Sequence, residues 1–353
     1  MITTFRLFDL PENAQLPVLR SMEVVYLSRL SFCSVKAKRI IKSLSLTASV
    51  RPCFNGIYVS ILLESLNFSI DYEFDTDRII ESLEGKRSID PDDLCNFRPY
   101  SILIFTNGTN EQDLATWVPH KPILYKKLVD HFLEIFHQRE ISLYSSHPFF
   151  TEDAIIRTLG LYNLRHLEFW SSESFEELIK RLPPPKQLDL FGSRELDEQY
   201  WKPEVYLQNF DSFSARELVE LSFDDMLSMN TKIMEVGSDD INEKHLNRFI
   251  KLWIKGTLSR LEYIHLKWQN QGARVFDKVE VLKGIKNSEN PEDEERIFRS
   301  SSETRNLAWK FVREDENFTE ICKGGFDIRG RNGRKATIVL ASDNEIFKMF
   351  VWP

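Results

Sequence analysis

The chain has 353 residues, a formal net charge of -8 and a pI near 5.6, and 42% of its residues are apolar. This composition is typical of a folded protein, and the length allows one large domain or a small domain joined to a larger one. The acidic balance argues against a nucleic-acid partner, because neutralising backbone phosphates requires a concentrated basic face. No run approaches the roughly 20 apolar residues that cross a bilayer, so we expect no membrane partner either.

The cysteines indicate the compartment. All four lie far apart and form no CxxC pair, so neither a zinc site nor a disulfide framework is predicted. This usage favours a reducing compartment, and the N-terminal residues lack the charged and apolar regions of a secretory signal. We expect a cytoplasmic or nuclear protein without a cofactor.

The first predicted element is a compact unit of three helices. Residues 13–44 have helical period, and Ser34 is placed to cap the third helix. A unit this small rarely folds alone without a disulfide or a metal. The stretch 10–34 also carries more apolar residues than short helices can cover, so we expect the unit to need a neighbour.

Strands are predicted after residue 48. Apolar and polar residues alternate over 66–74, which indicates a strand with one buried face, and the run IYVSILLE at 57–64 is expected to pair with it. Residues 81–99 are predicted to form a loop that precedes the short strand SILIF at 101–105.

From about residue 123 the sequence repeats an apolar strand followed by a helix. The strands are predicted to begin at Ile141, Leu164, Lys186, Glu204, Lys232 and Leu261. Their spacing of roughly 20 to 30 residues is typical of leucine-rich repeats. Helix caps are predicted at Thr151, at Ser174 with Glu177, at Ser214 with Glu217, and at Asp240 with Glu243.

The C-terminal part contains a charged segment and a hairpin signal. Residues 287–305 are polar and charged, which predicts a mobile loop. The pair Asn332-Gly333 lies between two strand-like runs and favours a type I′ hairpin turn. The ending IFKMFVWP alternates as expected for a closing strand.

The repeat-like strands offer a candidate substrate face. Residues between the buried positions of each strand are predicted to face outward, where repeat proteins commonly bind partners. They are His166, Glu168, Trp170, Gln187, Asp189, Tyr263, His265 and Lys267. The alternative is that they are merely solvated. Trp170 is the strongest single candidate, because interfaces favour Trp.

No catalytic site is predicted. Gly324-Gly325 is not followed by the residues of a phosphate loop, and the sequence contains no GxSxG or HExxH. His131 and His137 are six residues apart, a spacing that places them on different helix faces.

Two sets of motifs resemble a known family. The stretch FRLFDLPENAQLPVLRSMEVVYLSRLSFCSVKAKRIIKSL, from Phe5, resembles an F-box of the large nematode-type F-box family. The segments NRFIKLWIKG, RLEYIHL, VLKGI, GGFDIRGRNGRKATI and FKMFVWP resemble that family's F-box-associated domain, type 2. The resemblance implies an α/β fold with a three-helix F-box at residues 1–46. A leucine-rich-repeat-like, substrate-binding α/β domain with β-hairpins would occupy residues 47–353.

The resemblance also implies a function in protein degradation. An F-box docks on a Skp-type linker protein that connects to a cullin ubiquitin ligase (an SCF complex), while the associated domain holds an unknown protein substrate. The expected linker-binding residues are Leu10, Pro11, Leu16, Val18, Leu19, Met22, Val25, Leu27 and Leu30. The chain would then be a non-catalytic adaptor. Two alternatives remain open, a stand-alone interaction scaffold that recruits no ligase and an enzyme with an unrecognised site.

Overall fold

The computed structural model describes sixteen parts of the chain. They are residues 7–22, 24–46, 50–55, 58–63, 68–73, 101–106, 125–145, 156, 162–170, 179–191, 209–216, 221–238, 240–268, 276–301, 318–341 and 346–353. The chain divides into two compact units, residues 1–163 and 164–353. The predicted domain boundary after residue 46 stays a prediction.

The first unit begins with the predicted helices. A short 3-10 turn, Leu7–Asp9, precedes α1 (Glu12–Arg20), α2 (Val24–Cys33) and α3 (Val35–Ser43). The Ser34 hydroxyl accepts a hydrogen bond of 3.0 Å from the Ala37 amide, so the predicted cap of α3 is confirmed. The helices share a core whose fully buried members are Leu19, Leu27, Ile41 and Leu44.

A sheet completes the first unit. Its strands are β1 (Val50–Asn55), β2 (Tyr58–Leu63), β3 (Phe68–Glu73), β4 (Ser101–Thr106) and β5 (Glu140–Ser145), and α4 (Tyr125–Ile135) precedes β5. The strands lie in the order β5-β1-β2-β3-β4. The predicted pairing of β2 with β3 is confirmed and is antiparallel, whereas β1 and β5 are parallel. The predicted loop at 81–99 lies outside the described residues.

The second unit contains the predicted repeat-like array. Its parallel strands are β6 (Asn163–Trp170), β7 (Gln187–Phe191), β8 (Ser212–Arg216), β9 (Ile233–Gly237) and β10 (Tyr263–Lys267). Each pairs in parallel with the next one along the chain, which is the arrangement of a leucine-rich repeat. Helix α5 (Phe223–Ser228) connects β8 to β9, and α6 (Glu243–Lys255) connects β9 to β10.

Antiparallel strands complete the second unit. They are β11 (Ser288–Glu289), β12 (Glu295–Arg299), β13 (Thr319–Lys323), β14 (Phe326–Arg329), β15 (Lys335–Ala341) and β16 (Ile346–Val351), and the short helix α7 (Lys278–Val281) precedes them. The closing strand β16 joins the array by pairing with β10, and β15, β14 and β11 follow in that order. Strands β12 and β13 form a separate two-stranded sheet. The fold is therefore mixed α/β, with a short helical N-terminal region and β-hairpins, as predicted.

Three local predictions in the array differ from the structure where it describes them. The strand expected from Glu204 lies outside the described residues except at Asn209 and Phe210, which are not in a strand, and β8 spans Ser212–Arg216. The run Ser212–Arg216 alternates small polar residues with the fully buried Phe213 and Ala215, which suits a sheet covered on both faces. Ser214 is therefore a strand residue and not a helix cap.

The third error concerns α6. Asn242, and not Asp240, caps this helix, because its side chain accepts hydrogen bonds from the amides of Lys244 and His245. Asn242 lies two residues closer to the helix than Asp240, and its side chain binds the free amide donors that Asp240 was expected to bind. The caps predicted at Thr151 and Ser174 lie outside the described residues.

The charged segment is only partly a loop where the structure describes it, because β11 (Ser288–Glu289) and β12 lie within it. Residues 295–299 form β12, which pairs antiparallel with β13. The strand forms because Phe298 is buried to 1% exposure in an aromatic cluster, and this burial outweighs the unfavourable charge of the segment.

The hairpin at Asn332-Gly333 is confirmed, but its turn is not type I′. Only Gly333 has a positive φ, of 81°. The Gly333 amide donates to the Gly330 carbonyl at 3.1 Å, and the Gly330 amide donates to the Arg334 carbonyl at 2.9 Å. This is the longer hairpin loop in which a type I turn precedes a left-handed glycine.

Candidate docking surfaces

The structure separates the predicted linker-binding residues by exposure. Leu19 and Leu27 lie inside the three-helix core, at 0% and 2% exposure. Leu10, Leu16, Met22 and Leu30 are half-buried, whereas Pro11 and Val18 are exposed. The side chain of Val25 lies outside the described residues. Linker binding itself stays a prediction for all nine.

Helix α4 covers part of the remaining helical surface. The His131 ring stacks on Phe32 of α2, with ring centroids 3.8 Å apart, and its Nε2 lies 2.7 Å from the Ser31 hydroxyl. One turn further along α4, the Glu134 carboxylate accepts a hydrogen bond of 2.6 Å from Lys38 of α3. The N-terminal helices are thus joined to the rest of their own unit by stacking, hydrogen bonding and an ion pair. The sequence alone does not show this contact, because the partners are about 100 residues apart.

The position of His131 makes this contact sensitive to pH. Burial, helped by the nearby Lys38 ammonium and opposed by Glu134, lowers the pKa of His131 from 6.5 to about 4. The imidazole is therefore neutral in the folded unit at neutral pH. Because the folded pKa is depressed, the stabilisation is complete above pH 6.5 and is lost as the pH falls towards about 4.

We expect the first unit to lose about 2 kcal/mol of unfolding free energy through His131 between pH 7.5 and pH 5. Urea denaturation at the two pH values, with His131→Gln compared with wild type, measures this term. The His131→Gln protein should show a correspondingly smaller difference between the two values.

His137→Asn is the matched control, since His137 is exposed just after the same helix, where its Nε2 lies 2.9 Å from the Lys42 carbonyl. Asn tolerates the positive φ of 55° at this position. An equal loss in all three proteins would contradict the assignment to His131.

The predicted substrate face of the second unit is mostly buried. The register aligns Glu168, Asp189, Ser214, Glu235, His265 and Lys348 across neighbouring strands, and we call these residues the polar row. Within it, Asp189 Oδ2 lies 2.8 Å from His166 Nε2 and accepts a hydrogen bond of 3.1 Å from Gln187. His265 Nδ1 lies 3.2 Å from Glu235 Oε1.

These positions differ from the expectation of a solvent-facing surface. His166, Gln187, Asp189 and Tyr263 are between 1% and 4% exposed, Glu168 and His265 are half-buried, and Lys267 is exposed. The side chain of Trp170 lies outside the described residues. Carboxylates buried this deeply are retained when they are paired, as Asp189 and Glu235 are here. A substrate-binding role for these eight residues stays a prediction.

The sheet formed by β12 and β13 explains why Tyr263 is buried. The inward side chains Phe298 and Cys322, together with Phe318, pack on Tyr263 and Phe350 in one cluster. The ring centroid of Tyr263 lies 4.9 Å from that of Phe318 and 5.9 Å from that of Phe298. Burial accordingly raises the pKa of the Tyr263 phenol well above its usual value. The two-stranded sheet thus forms a second layer over this end of the array.

Polar contacts fix the second layer in place. Arg296 of β12 reaches Asp327 of β14 at 3.1 Å, and Glu320 of β13 accepts a hydrogen bond of 3.3 Å from Lys348 of the polar row. Burial alone would raise the pKa of Asp327, but hydrogen bonds from Lys335, Thr337 and Arg296 outweigh it and lower the pKa to about 2. Asp327 is therefore an anion that anchors β12.

Neither a metal-binding cluster nor a membrane-spanning helix is found among the residues that the structure describes. No group of three or more His, Cys, Asp or Glu side chains in these parts of the chain could hold a metal ion. Over the same residues, no helix has the length and apolar content needed to cross a membrane.

Comparison with protein families finds matches to two parts of the chain. It contains an F-box domain followed by an F-box-associated domain, a pair that fits the role of substrate adaptor in SCF complexes generally. The F-box model matches residues 7–49, which include α1 to α3, and the model described as F-box associated matches residues 203–266, from before β8 into β10. No curated protein and no solved structure matches the chain significantly. The nematode-type label stays a resemblance.

Proposed function

We propose that this protein is a non-catalytic, substrate-recruiting adaptor of a cullin ubiquitin ligase. Its F-box binds a Skp-type linker protein, and its C-terminal domain binds a protein substrate. The attached ligase performs the chemistry, so the chain itself needs neither a cofactor nor a catalytic group. A cytoplasmic or nuclear site of action goes with this role.

The observation that carries the proposal is the exposed apolar surface on α1 and around it. The helices have their own buried core, yet Val18 remains 37% exposed and Pro11 is also exposed. Leu10, Leu16, Met22 and Leu30 are only half-buried around them. Covering such side chains contributes roughly 1.5 to 3 kcal/mol each before the costs of association. A linker helix that covers several of them gains enough to form a stable complex.

Co-purification with a Skp-type linker tests the proposal. We expect wild type to form a stable complex and Val18→Asp to reduce its recovery at least about tenfold, because a charge in a desolvated contact is costly. Val279→Asp is the matched control, since Val279 is an exposed valine outside the F-box, at 68% exposure. It should bind the linker as wild type does.

The same experiment decides between the adaptor and a stand-alone scaffold. The contact of α2 and α3 with α4 is what a scaffold with a capping helical unit would also need. A wild-type chain that stays folded and monomeric and does not bind the linker would favour the scaffold. A Val18→Asp protein that binds as tightly as wild type would refute the assigned surface.

A further inference from the structure

The second layer of the C-terminal unit has an outer face as well as the inner face described above. Side chains alternate along β12 and β13, so Phe298 and Cys322 point inward while Ile297 and Ile321 point outward. The register places Ile297 opposite Ile321. On one side of this pair, Glu295 forms an ion pair with Lys323, and on the other side Arg299 is opposite Thr319. We call these six residues the outer face.

The apolar pair on the outer face contributes little to the fold. Ile297 is 62% and Ile321 is 50% exposed, although their neighbours Phe298 and Cys322 are buried. The inner cluster and the Arg296–Asp327 ion pair already hold the layer. Scattered exposed apolar residues are ordinary, but a cross-strand pair with a charged rim has the composition of an interaction surface.

Charge indicates what kind of partner fits. The acidic residues Glu292, Asp293 and Glu294 precede β12 and are exposed. They lie beside the end of β13, because the Gly324 amide donates to the Glu294 carbonyl at 3.1 Å. Within the described chain, Arg296 approaches Glu294 at 3.7 Å, whereas no cation pairs with Glu292 or Asp293. On this side of the apolar pair, beyond the Glu295–Lys323 ion pair, the rim is therefore net negative and attracts cations, whereas Arg299 lies on the other side.

We propose that the outer face is a docking site for a basic, apolar segment of a protein substrate. An aliphatic side chain of the segment covers Ile297 and Ile321, and neighbouring Lys or Arg side chains pair with Glu292 and Asp293. The inference rests on the proposed function for the identity of the partner as a substrate. It differs from the sequence-based expectation, which placed the substrate on the sheet face that this layer partly covers.

Fluorescence anisotropy with the full chain tests the site, using three pools of short labelled synthetic peptides. One pool combines Lys and Arg with Leu and Val, the second combines Glu and Asp with Leu and Val, and the third combines Lys and Arg with Ser and Gly. We expect the first pool to bind at least about tenfold more tightly than either of the others. Absence of binding, or equal binding of all three pools, would overturn the proposal.

Two variants locate the binding. Ile297→Thr with Ile321→Thr keeps β-branched side chains in the strands but removes apolar surface, and it should lose about tenfold in affinity for the first pool. Val279→Thr, at a comparably exposed valine, should bind like wild type. Glu292→Lys with Asp293→Lys leaves the apolar pair intact and should shift the preference to the second pool. This charge variant decides the question even if the double Thr variant fails to fold.

The remaining outcomes distinguish this proposal from a dimer interface and from the proposed adaptor function. A wild-type dimer that dissociates in the double Thr variant would replace the substrate segment with a second copy of the chain. Linker co-purification of the same variants separates this inference from the proposed function. If the linker binds while the peptide pools do not discriminate, only the outer-face site fails. If the linker does not bind while the pools discriminate, the adaptor role fails and the docking site stands.

Discussion

A Phe298→Ala protein should lose about 3 to 5 kcal/mol of unfolding free energy in the C-terminal unit. Phe298 is 1% exposed, and its ring centroid lies 5.6 Å from Phe350, 5.9 Å from Tyr263 and 5.9 Å from Trp352. Truncation removes the contacts of all three neighbours and leaves a cavity between two layers that cannot collapse fully. The effect is large because one side chain joins the two-stranded sheet to the array.

Urea denaturation followed by tryptophan fluorescence measures the loss. Ile297→Ala is the matched control, because the adjacent side chain points to solvent at 62% exposure and its loss should change stability by no more than about 0.5 kcal/mol. Equal destabilisation by the two substitutions would show that β12 does not pack as described. The Phe298→Ala protein should also ionise Tyr263 at lower pH than wild type, because water then reaches the phenol.

Periodicity predicted much of the backbone. The parallel strands β6, β7, β9 and β10 follow from runs of apolar residues at regular spacing, and the hairpin of β14 and β15 follows from the Gly333 turn. Strand β8 was not predicted, because the buried residues Ser212 and Ser214 stand where an apolar run would mark a strand. Side-chain period alone does not distinguish a strand of serines from a loop.

The second layer could not be predicted from composition. Residues Glu295–Arg299 alternate in burial, with Phe298 inward, but not in polarity, because Ile297 and Phe298 are both apolar, and the surrounding acidic residues dominate the average over the segment. Recognition requires the partner strand β13, which begins 20 residues after β12 ends and pairs only through tertiary structure. For the same reason, the burial of Tyr263 could not be foreseen, since exposure depends on what covers a face and not on the strand itself.

The candidate F-box surface was only partly predictable. Helical period indicated an apolar excess in the first helices but did not separate Val18 from Leu19, two adjacent aliphatic residues. The linker partner came from resemblance to a family, because physical chemistry indicates only that such a surface needs cover. The contact between His131 and Phe32 was invisible in the sequence, where His131 stands simply as a histidine on an apolar helix.

Leu19→Ala should destabilise the three-helix region by about 2 to 5 kcal/mol, whereas Val18→Ala should change its stability by no more than about 0.5 kcal/mol. Leu19 is 0% exposed and packs with Leu27, Ile41 and Leu44, and Val18 precedes it on α1 with 37% exposure. Amide hydrogen exchange over α1 to α3 reports this difference directly, because opening of a short helical region raises exchange there first.

Substitutions at Leu19 and Val18 also separate the packing of the helices from the docking of the linker. Leu19→Ala should reduce recovery of a Skp-type linker only to the extent that the helices open. When recovery is measured at several urea concentrations, it should therefore rise towards the wild-type level as the concentration of urea falls. Val18→Asp should reduce recovery while hydrogen exchange over α1 to α3 stays at the wild-type level. If Leu19→Ala left exchange unchanged and still abolished binding, Leu19 would have to contact the linker itself, and the core described for these helices would be wrong.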